Sequence, residues 1–421
     1  MALWPHRLQR AATSARTLAS TQRDAEVILD ICQEVLPFLA AHTDSVHEVK
    51  EKNQRLRSIL KKLHWPRLRS FEVNGKVHHL PIDAPCGTSP AQAAPPTTTL
   101  EYLTGFFDGD GCVTADGKAL SGCRVSVGQS VQRAGVLLLF QERFGGRIIR
   151  NCDGVGLCQP MLAWGVCGER AKRASHALAT HSITKRKQLL LAADWPHDRH
   201  CRVALTSELH ALKQQDSATP RQCTLEYFTG LFDADGCIKI STNGALCLQI
   251  GQKFASVLQC LQDFLARDFG IDSQVQSYGS ITRFYISRTS SCKHVLQAML
   301  RAGLRCKAEQ AQLALGLTSS NAAEVRSAMS ELAGNQSFGK KLDEDGLHRS
   351  RLIRNAHGQA RRYERQGNLI DTRTKLQEIT AMKTEHERCN AKFENLQLSE
   401  YIRKIHHRHR ESHVSQDASP C

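Results

Sequence analysis

The sequence has no Cys-x-x-Cys pair among its sixteen cysteines, and its one His-x-x-x-His, His409 to His413, stands without a cysteine nearby. That spacing argues against the common zinc modules and leaves reduced thiols as the expectation. No apolar run approaches the roughly 20 residues of a membrane span, so no membrane partner is expected. Acid is scarce: 41 Asp and Glu face 56 Lys and Arg, for a formal charge of +15. Solubility needs far less, and the surplus predicts a polyanionic partner, nucleic acid before others, with part of it available simply as solvated surface. Acid is missing altogether before Asp24, where Arg7, Arg10 and Arg16 stand among Ala, Ser and Thr. Residues 1–23 therefore read as an organellar transit peptide, mitochondrial in the simplest case, with a basic unstructured tail as the alternative.

What the chain does have is a phrase said twice. Thr99-Leu-Glu-Tyr-Leu-Thr-Gly-Phe-Phe-Asp-Gly-Asp-Gly-Cys-Val113 returns as Thr224-Leu-Glu-Tyr-Phe-Thr-Gly-Leu-Phe-Asp-Ala-Asp-Gly-Cys-Ile238, identical at eleven of fifteen positions. An internal repeat of this kind precedes any other reading. Each copy is an apolar helix face with a small residue suited to close packing, ending in a carboxylate followed by Gly. Gly105 and Gly230 are placed for two helices to cross, with Thr104 and Thr229 beside them, which would bring Asp110 and Asp235 together at the negative ends of two helix dipoles. Unaided, such a pair repels itself and its pKa rises. A divalent cation relieves the conflict, and hard oxygen ligands favour Mg²⁺, with Mn²⁺ as the substitute.

Leu103-Thr-Gly-Phe-Phe-Asp-Gly-Asp-Gly111 and Phe228-Thr-Gly-Leu-Phe-Asp-Ala-Asp-Gly236 resemble the LAGLIDADG signature of homing endonucleases, in the single-chain form with two motifs. Arg124-Val-Ser-Val-Gly-Gln-Ser130 and Leu248-Gln-Ile-Gly-Gln-Lys253 are similar to the family's second strand, which singles out Gln129 and Gln252. Thr184-Lys-Arg-Lys-Gln188 and Cys306-Lys-Ala-Glu-Gln310 resemble its Lys-x-x-Gln segment, which singles out Lys185 and Lys307. The intervals agree between copies: 19 and 17 residues from Asp to Gln, then 56 and 55 from Gln to Lys. The resemblance covers about residues 97–320.

It implies an α+β fold of two pseudo-symmetric αββαββα halves, whose antiparallel strands form a saddle with helices on one face and whose N- and C-terminal extensions are helical. It also implies a monomer that grips duplex DNA at a long, partly palindromic site. Asp110 and Asp235 would be metal ligands and, with Lys185, Lys307, Gln129 and Gln252, catalytic: lysines as charge stabilisers or water activators, glutamines as organisers of water. Asp108 and Asp233 would be structural or metal-adjacent. Arg124, Ser126, Lys239, Ser241, Gln249 and Arg283 would meet bases or phosphates. The function implied is phosphodiester hydrolysis in duplex DNA. The alternative, from the same resemblance, is a maturase or organellar splicing factor that binds intron RNA without cutting it, and the basic tail and residues 1–23 suit that alternative.

Around this core the chain divides by composition. Residues 24–83 read as a helical hairpin followed by a β-hairpin, whose Asn74-Gly75 pair lies between alternating apolar residues. Residues 84–98 are a Pro, Ala and Thr linker. The halves occupy 99–200 and 224–320, joined by 201–223. In the second half, strands are expected over 237–241, 245–251, 273–279 and 281–288, with a helix over 254–269. Residues 321–421 are a basic helical extension with a disordered, solvated end around Ile405 to His413, metal binding there being the alternative. There Leu369, Leu376, Ile379, Met382, Cys389, Phe393 and Leu396 form a stripe expected to pack on the domain, with a coiled coil as the alternative. Cys112 and Cys237, equivalent in the two copies, are expected as small buried strand residues.

Overall fold

The expected β-hairpin closes at Asn74-Gly75, where both residues are left-handed, φ 51° and 77°, the backbone a two-residue type I′ turn requires. Strands β1 (Ser70–Val73) and β2 (Lys76–His79) pair antiparallel on either side of it. The computed structural model describes residues 45–83, 99–115, 122–241, 243–332 and 342–417. The expected transit peptide at 1–23, the helix expected before residue 45 and the linker at 84–98 lie outside the described residues. The described residues form two units, one of those within 68–152 and 160–332, the other of residues 45–67, 153–159 and 342–417.

The larger unit opens with the hairpin and β3 (Ile82–Asp83) and then repeats one plan twice. The first half runs α2 (Leu100–Asp110), β4 (Gly111–Ala115), β5 (Cys123–Ser130), α3 (Gly135–Phe144), β6 (Arg147–Cys152), β7 (Met161–Cys167), α4 (Gly168–Ala179) and α5 (Arg186–Ala193). Helix α6 (Arg199–Gln214) leads to the second half: α7 (Leu225–Asp235), β8 (Gly236–Ile240), β9 (Leu246–Gln252), α8 (Ser256–Phe269), β10 (Gln274–Tyr278), β11 (Ile281–Ile286), α9 (Thr289–Arg301) and α10 (Ala308–Leu315), then α11 (Ala322–Glu331). The αββαββα order is as expected, and every strand of the second half lies within two residues of its sequence-based bounds.

Both sheets are antiparallel, ordered β3-β6-β7-β5-β4 and β10-β11-β9-β8. Alternation buries one face of each under its helices. In the first half Val113, Val125, Val127, Ile148, Leu162 and Trp164 pack with Phe106, Phe107 and Phe140. In the second, Ile238, Leu248, Ile250 and Phe284 pack with Phe228, Phe232 and Phe264. Strand β3 was not expected. Its two residues pair with Ile148 and Arg147, and Asp83 meets the Arg147 guanidinium at 2.7 Å. The segment read as one extension, 24–83, thus divides: residues 68–83 go with the first half, and the helix before them belongs to the other unit.

That smaller unit consists of α1 (Val46–Leu60), α12 (Glu344–Arg365) and the long α13 (Leu369–Asp417). The end of α13 packs Leu398, Ile402 and Ile405 against Leu56, Leu60, Leu63 and Trp65, while its start packs Ile379 against Ala356 and Ala360 of α12. Two expectations are corrected here. Leu369, Leu376 and Leu396 of the expected stripe are exposed, and the buried line runs through Ile379, Ala391, Leu398, Ile402 and Ile405. Nor do residues 405–413 form a disordered end: they continue the helix, with Ile405 buried and His409 Nε2 2.9 Å from the His64 carbonyl. Among the described residues, no helix is long and apolar enough to cross a membrane.

Candidate active site at the helix crossing

Thr99 and Thr224, the first residues of the repeated phrase, cap α2 and α7: each hydroxyl accepts the N–H three residues on, from Tyr102 and Tyr227. The helices then cross at Gly105 and Gly230. A Cβ on Gly105 would sit 2.0 Å from the Tyr227 carbonyl oxygen, and one on Gly230 would sit 2.0 Å from that of Tyr102. Only glycine permits this approach. Beside them Thr104 and Thr229 turn their hydroxyls back to the Leu100 and Leu225 carbonyls, so they bury no unmet donor.

The crossing also exchanges bonds. Tyr102 of the first half donates its hydroxyl to Asp233 of the second, and Tyr227 donates to Asp108, both at 2.6 Å. The carboxylate of Asp108 further accepts the Ser182 hydroxyl and the backbone N–H groups of Ile183, Thr184 and Lys185. Asp233 likewise accepts the N–H groups of Arg305, Cys306 and Lys307. Both carboxylates are 1% exposed and tie down the loop that opens the last helix of their own half. Of the two expected roles, structural and metal-adjacent, their bonds fit the structural one. The tyrosines escaped the sequence reading although both sit inside the repeated phrase, where an identical Tyr on a helix face was readable only as core.

Asp110 and Asp235 are the last residues of α2 and α7, and their ends converge: a Cβ on Gly109 would lie 2.4 Å from the Ala234 Cβ and 3.0 Å from Asp235 Oδ2. Gln129 Nε2 donates to Asp110 Oδ2 at 2.5 Å, and Gln252 Nε2 donates to Asp235 Oδ2 at 2.6 Å. The glutamines thus hold the carboxylates directly. Lys185 Nζ donates to the carbonyls of Phe107, Asp108 and Gly109 at 2.9, 2.6 and 2.9 Å. Lys307 Nζ donates to the Asp233 and Ala234 carbonyls. Each ammonium satisfies orphan carbonyls at the end of its half's helix.

Burial dominates the electrostatics. Desolvation raises the Asp110 pKa against the pull of Lys307, Lys185, the Gln129 amide and Arg133. It raises that of Asp235 too, where the charge of Asp110 adds to it against Lys185, Gln252 and Lys307. Burial lowers both lysines, and the neighbouring carboxylates partly offset this. Arg133, four residues after Gln129, acts on both Asp110 and Lys307 and was missed in the sequence. Its counterpart four residues after Gln252 is Ser256, so no repeat pointed to it.

The expected contact residues lie on the open faces of the sheets, with one exception. Arg124, Ser126, Lys239, Gln249 and Arg283 alternate with buried strand residues. Arg283 lies over the Tyr278 ring at 5.3 Å. Ser241 falls beyond β8 and spends its hydroxyl in the turn, accepting the Ala245 N–H at 3.0 Å. Cys112 and Cys237 were expected buried and are exposed instead, because Gly111 and Gly236 start the strands and put the next residue on the open face.

Residues 222–301 match the family model described as LAGLIDADG-like domain. The chain carries a LAGLIDADG-like domain. The match covers most of the second half, and the first half repeats the same plan with its own phrase, strands and caps. Among solved structures the chain is similar to I-SmaMI bound to an uncleaved DNA target in the presence of calcium ions, at 16% identity over 56% of this chain and 99% of that one, TM-score 0.40. It is also similar to the LAGLIDADG meganuclease I-AabMI bound to uncleaved DNA, at 15% identity over 60% and 96%, TM-score 0.39. A third is the LAGLIDADG homing endonuclease I-GzeII in complex with its DNA target, at 12% over 56% and 98%, TM-score 0.39. No curated protein matches the chain.

Proposed function

We propose that the chain is a site-specific double-stranded DNA endonuclease that hydrolyses one phosphodiester in each strand at Asp110 and Asp235. The observation that carries this reading is the convergence of two carboxylates, each gripped by its own Gln, at the ends of two crossing helices. A carboxylate at a helix C-terminus opposes the helix dipole, and two together compound the cost. Structure alone gives no reason to repeat that arrangement.

A divalent metal fits these residues in one particular way. Among the described residues, no three His, Cys, Asp or Glu side chains converge into a closed cage. Two carboxylates with raised pKa suit Mg²⁺ or Mn²⁺ held by one or two protein oxygens and completed by water and substrate phosphate. Such an ion supplies water activation and charge stabilisation at the phosphate when bound. The chain's own part is to hold Asp110 and Asp235 through Gln129 and Gln252, to lock both helix ends through Lys185 and Lys307, and to add the positive field of those lysines and Arg133. The open faces bearing Arg124, Ser126, Lys239, Gln249 and Arg283 would take the duplex, and the chain would act as a monomer.

The test is cleavage of a randomised duplex target library by the purified chain with Mg²⁺. The expected result is a recovered target cut on both strands, with Asp110→Asn or Asp235→Asn abolishing double-strand cutting. Full cutting by either variant removes these residues from the reaction. Tight binding of an organellar intron transcript with no duplex cut would transfer the reading to RNA. Residence in a mitochondrion or other organelle is proposed on the composition of residues 1–23 and is checked by fusing that segment to a fluorescent protein.

A further inference from the structure

Helix α12 in the smaller unit carries four arginines on one exposed side. Ala356 and Ala360, packed with Ile379, mark its buried side. At about 100° per residue, Arg354, Arg361, Arg362 and Arg365 all fall within about 60° of the direction opposite that side. All four are exposed. Gly358 stands among them with nothing within 4 Å of where a Cβ would be, so no side chain interrupts the row.

Several other basic side chains of this unit meet acids: Lys50 with Glu387, Arg57 with Glu394, Arg349 with Asp343, Lys375 with Glu378 and Arg388 with Glu385. Among the described residues, no such ion pair involves Arg354, Arg361, Arg362 or Arg365. A solvated helix face ordinarily mixes both signs and gains from pairs three and four residues apart. A row of one sign repels itself, and a polyanion relieves that repulsion.

We propose that this face of α12 is a second nucleic-acid contact, separate from the sheet faces, that binds the phosphate backbone of duplex DNA without reading sequence. The four arginines span twelve residues, whose eleven steps make about 16 Å of helix, along which one DNA strand presents about five phosphates. Arginine suits the task because its planar fork meets phosphate oxygens in pairs. The choice of duplex DNA as the polyanion rests on the proposed function, whereas the surface itself does not.

The experiment uses the full chain and a duplex DNA of random sequence, with affinity followed by fluorescence anisotropy across a salt series. Three variants are compared with wild type: all four arginines changed to Gln, all four changed to Lys, and Arg124, Lys239 and Arg283 changed to Gln on the sheets. Gln keeps helix propensity close to that of Arg, so α12 should persist, and circular dichroism checks that it does. The expected result is a slope of log affinity against log salt that is shallower by about 3 to 4 in the four-Gln variant, with the slope retained in the four-Lys variant. An unchanged slope in the four-Gln variant overturns the inference, as does a larger loss on duplex RNA or polyglutamate than on duplex DNA. If only the sheet variant loses affinity, this inference falls while the proposed function stands. If wild type binds no duplex DNA, both fall.

Discussion

On helices α2 and α7 the residues that meet at the interface are mostly matched by a counterpart doing the same work: Gly105 with Gly230, Tyr102 with Tyr227, Asp108 with Asp233, Asp110 with Asp235, with Gly109 against Ala234 as a departure. On the sheets the counterparts differ. Cross-strand register aligns the row Cys112, Ser126, Gly165, Arg147 with the row Cys237, Gln249, Tyr285, Gln274, and only the first position agrees. The helix pair is self-complementary, so a change on one side must be answered on the other. The open face of each sheet makes few contacts among the described residues, Lys213 with Cys112 being one. A target read by these faces should therefore be unlike in its two arms, with its centre treated alike.

That contrast can be broken most severely at the crossing. Gly105→Ala and Gly230→Ala should each destabilise the chain by about 3 kcal/mol or more, since the new methyl meets backbone rather than a movable side chain. Equal losses in chemical denaturation would support the symmetry, and a mild loss at one site would break it. Next come the loop anchors. Asp108→Asn and Asp233→Asn each weaken a buried carboxylate that accepts several N–H and O–H bonds and should cost about 2–3 kcal/mol. Tyr102→Phe and Tyr227→Phe remove one such bond and should cost about 1.5 kcal/mol apiece.

Smaller still is the pH effect. Asp110 and Asp235 have raised pKa values in the folded chain, so the native state holds protons that the unfolded chain has released. Metal-free stability should then fall as pH rises from the ordinary Asp range through the raised values, and the penalty should be complete above them. Asp110→Asn should accordingly melt higher than wild type at neutral pH in EDTA, and the advantage should vanish under acid. The least effect on stability belongs to Arg133→Gln, within about 0.5 kcal/mol. It sharpens the comparison because Arg133 has no counterpart. Nicking of the strand served by Asp110 should slow relative to the other, and equal slowing of both strands would deny the asymmetry.

Where the phrase repeats, much was legible. Gly105 and Gly230 foretold the crossing, Asp110 and Asp235 the paired ends, and Gln129 and Gln252 their place beside the carboxylates. What escaped lacked either repetition or local pattern. Arg133 stands alone opposite Ser256. Strand β3 is only two residues long and is defined by partners 66 and 64 positions away, Ile148 and Arg147. Cys112 and Cys237 were misjudged because composition favours buried cysteine, whereas strand parity decides the face. In α13 the buried line depends on two different partners along one helix, which no single periodicity describes.

The exchanged tyrosine bonds carry one consequence further. Each half's loop at Ser182 to Lys185 or Arg305 to Lys307 is secured through a carboxylate that a tyrosine of the other half completes. Severed within the connection between Gln214 and Thr224, the two pieces would each keep a buried acid short of one donor and a bare glycine ridge. They should recover order only by finding each other again, as an obligate heterodimer. A duplicated gene carrying this feature can let its two outer faces drift indefinitely while its inner faces remain hostage to one another.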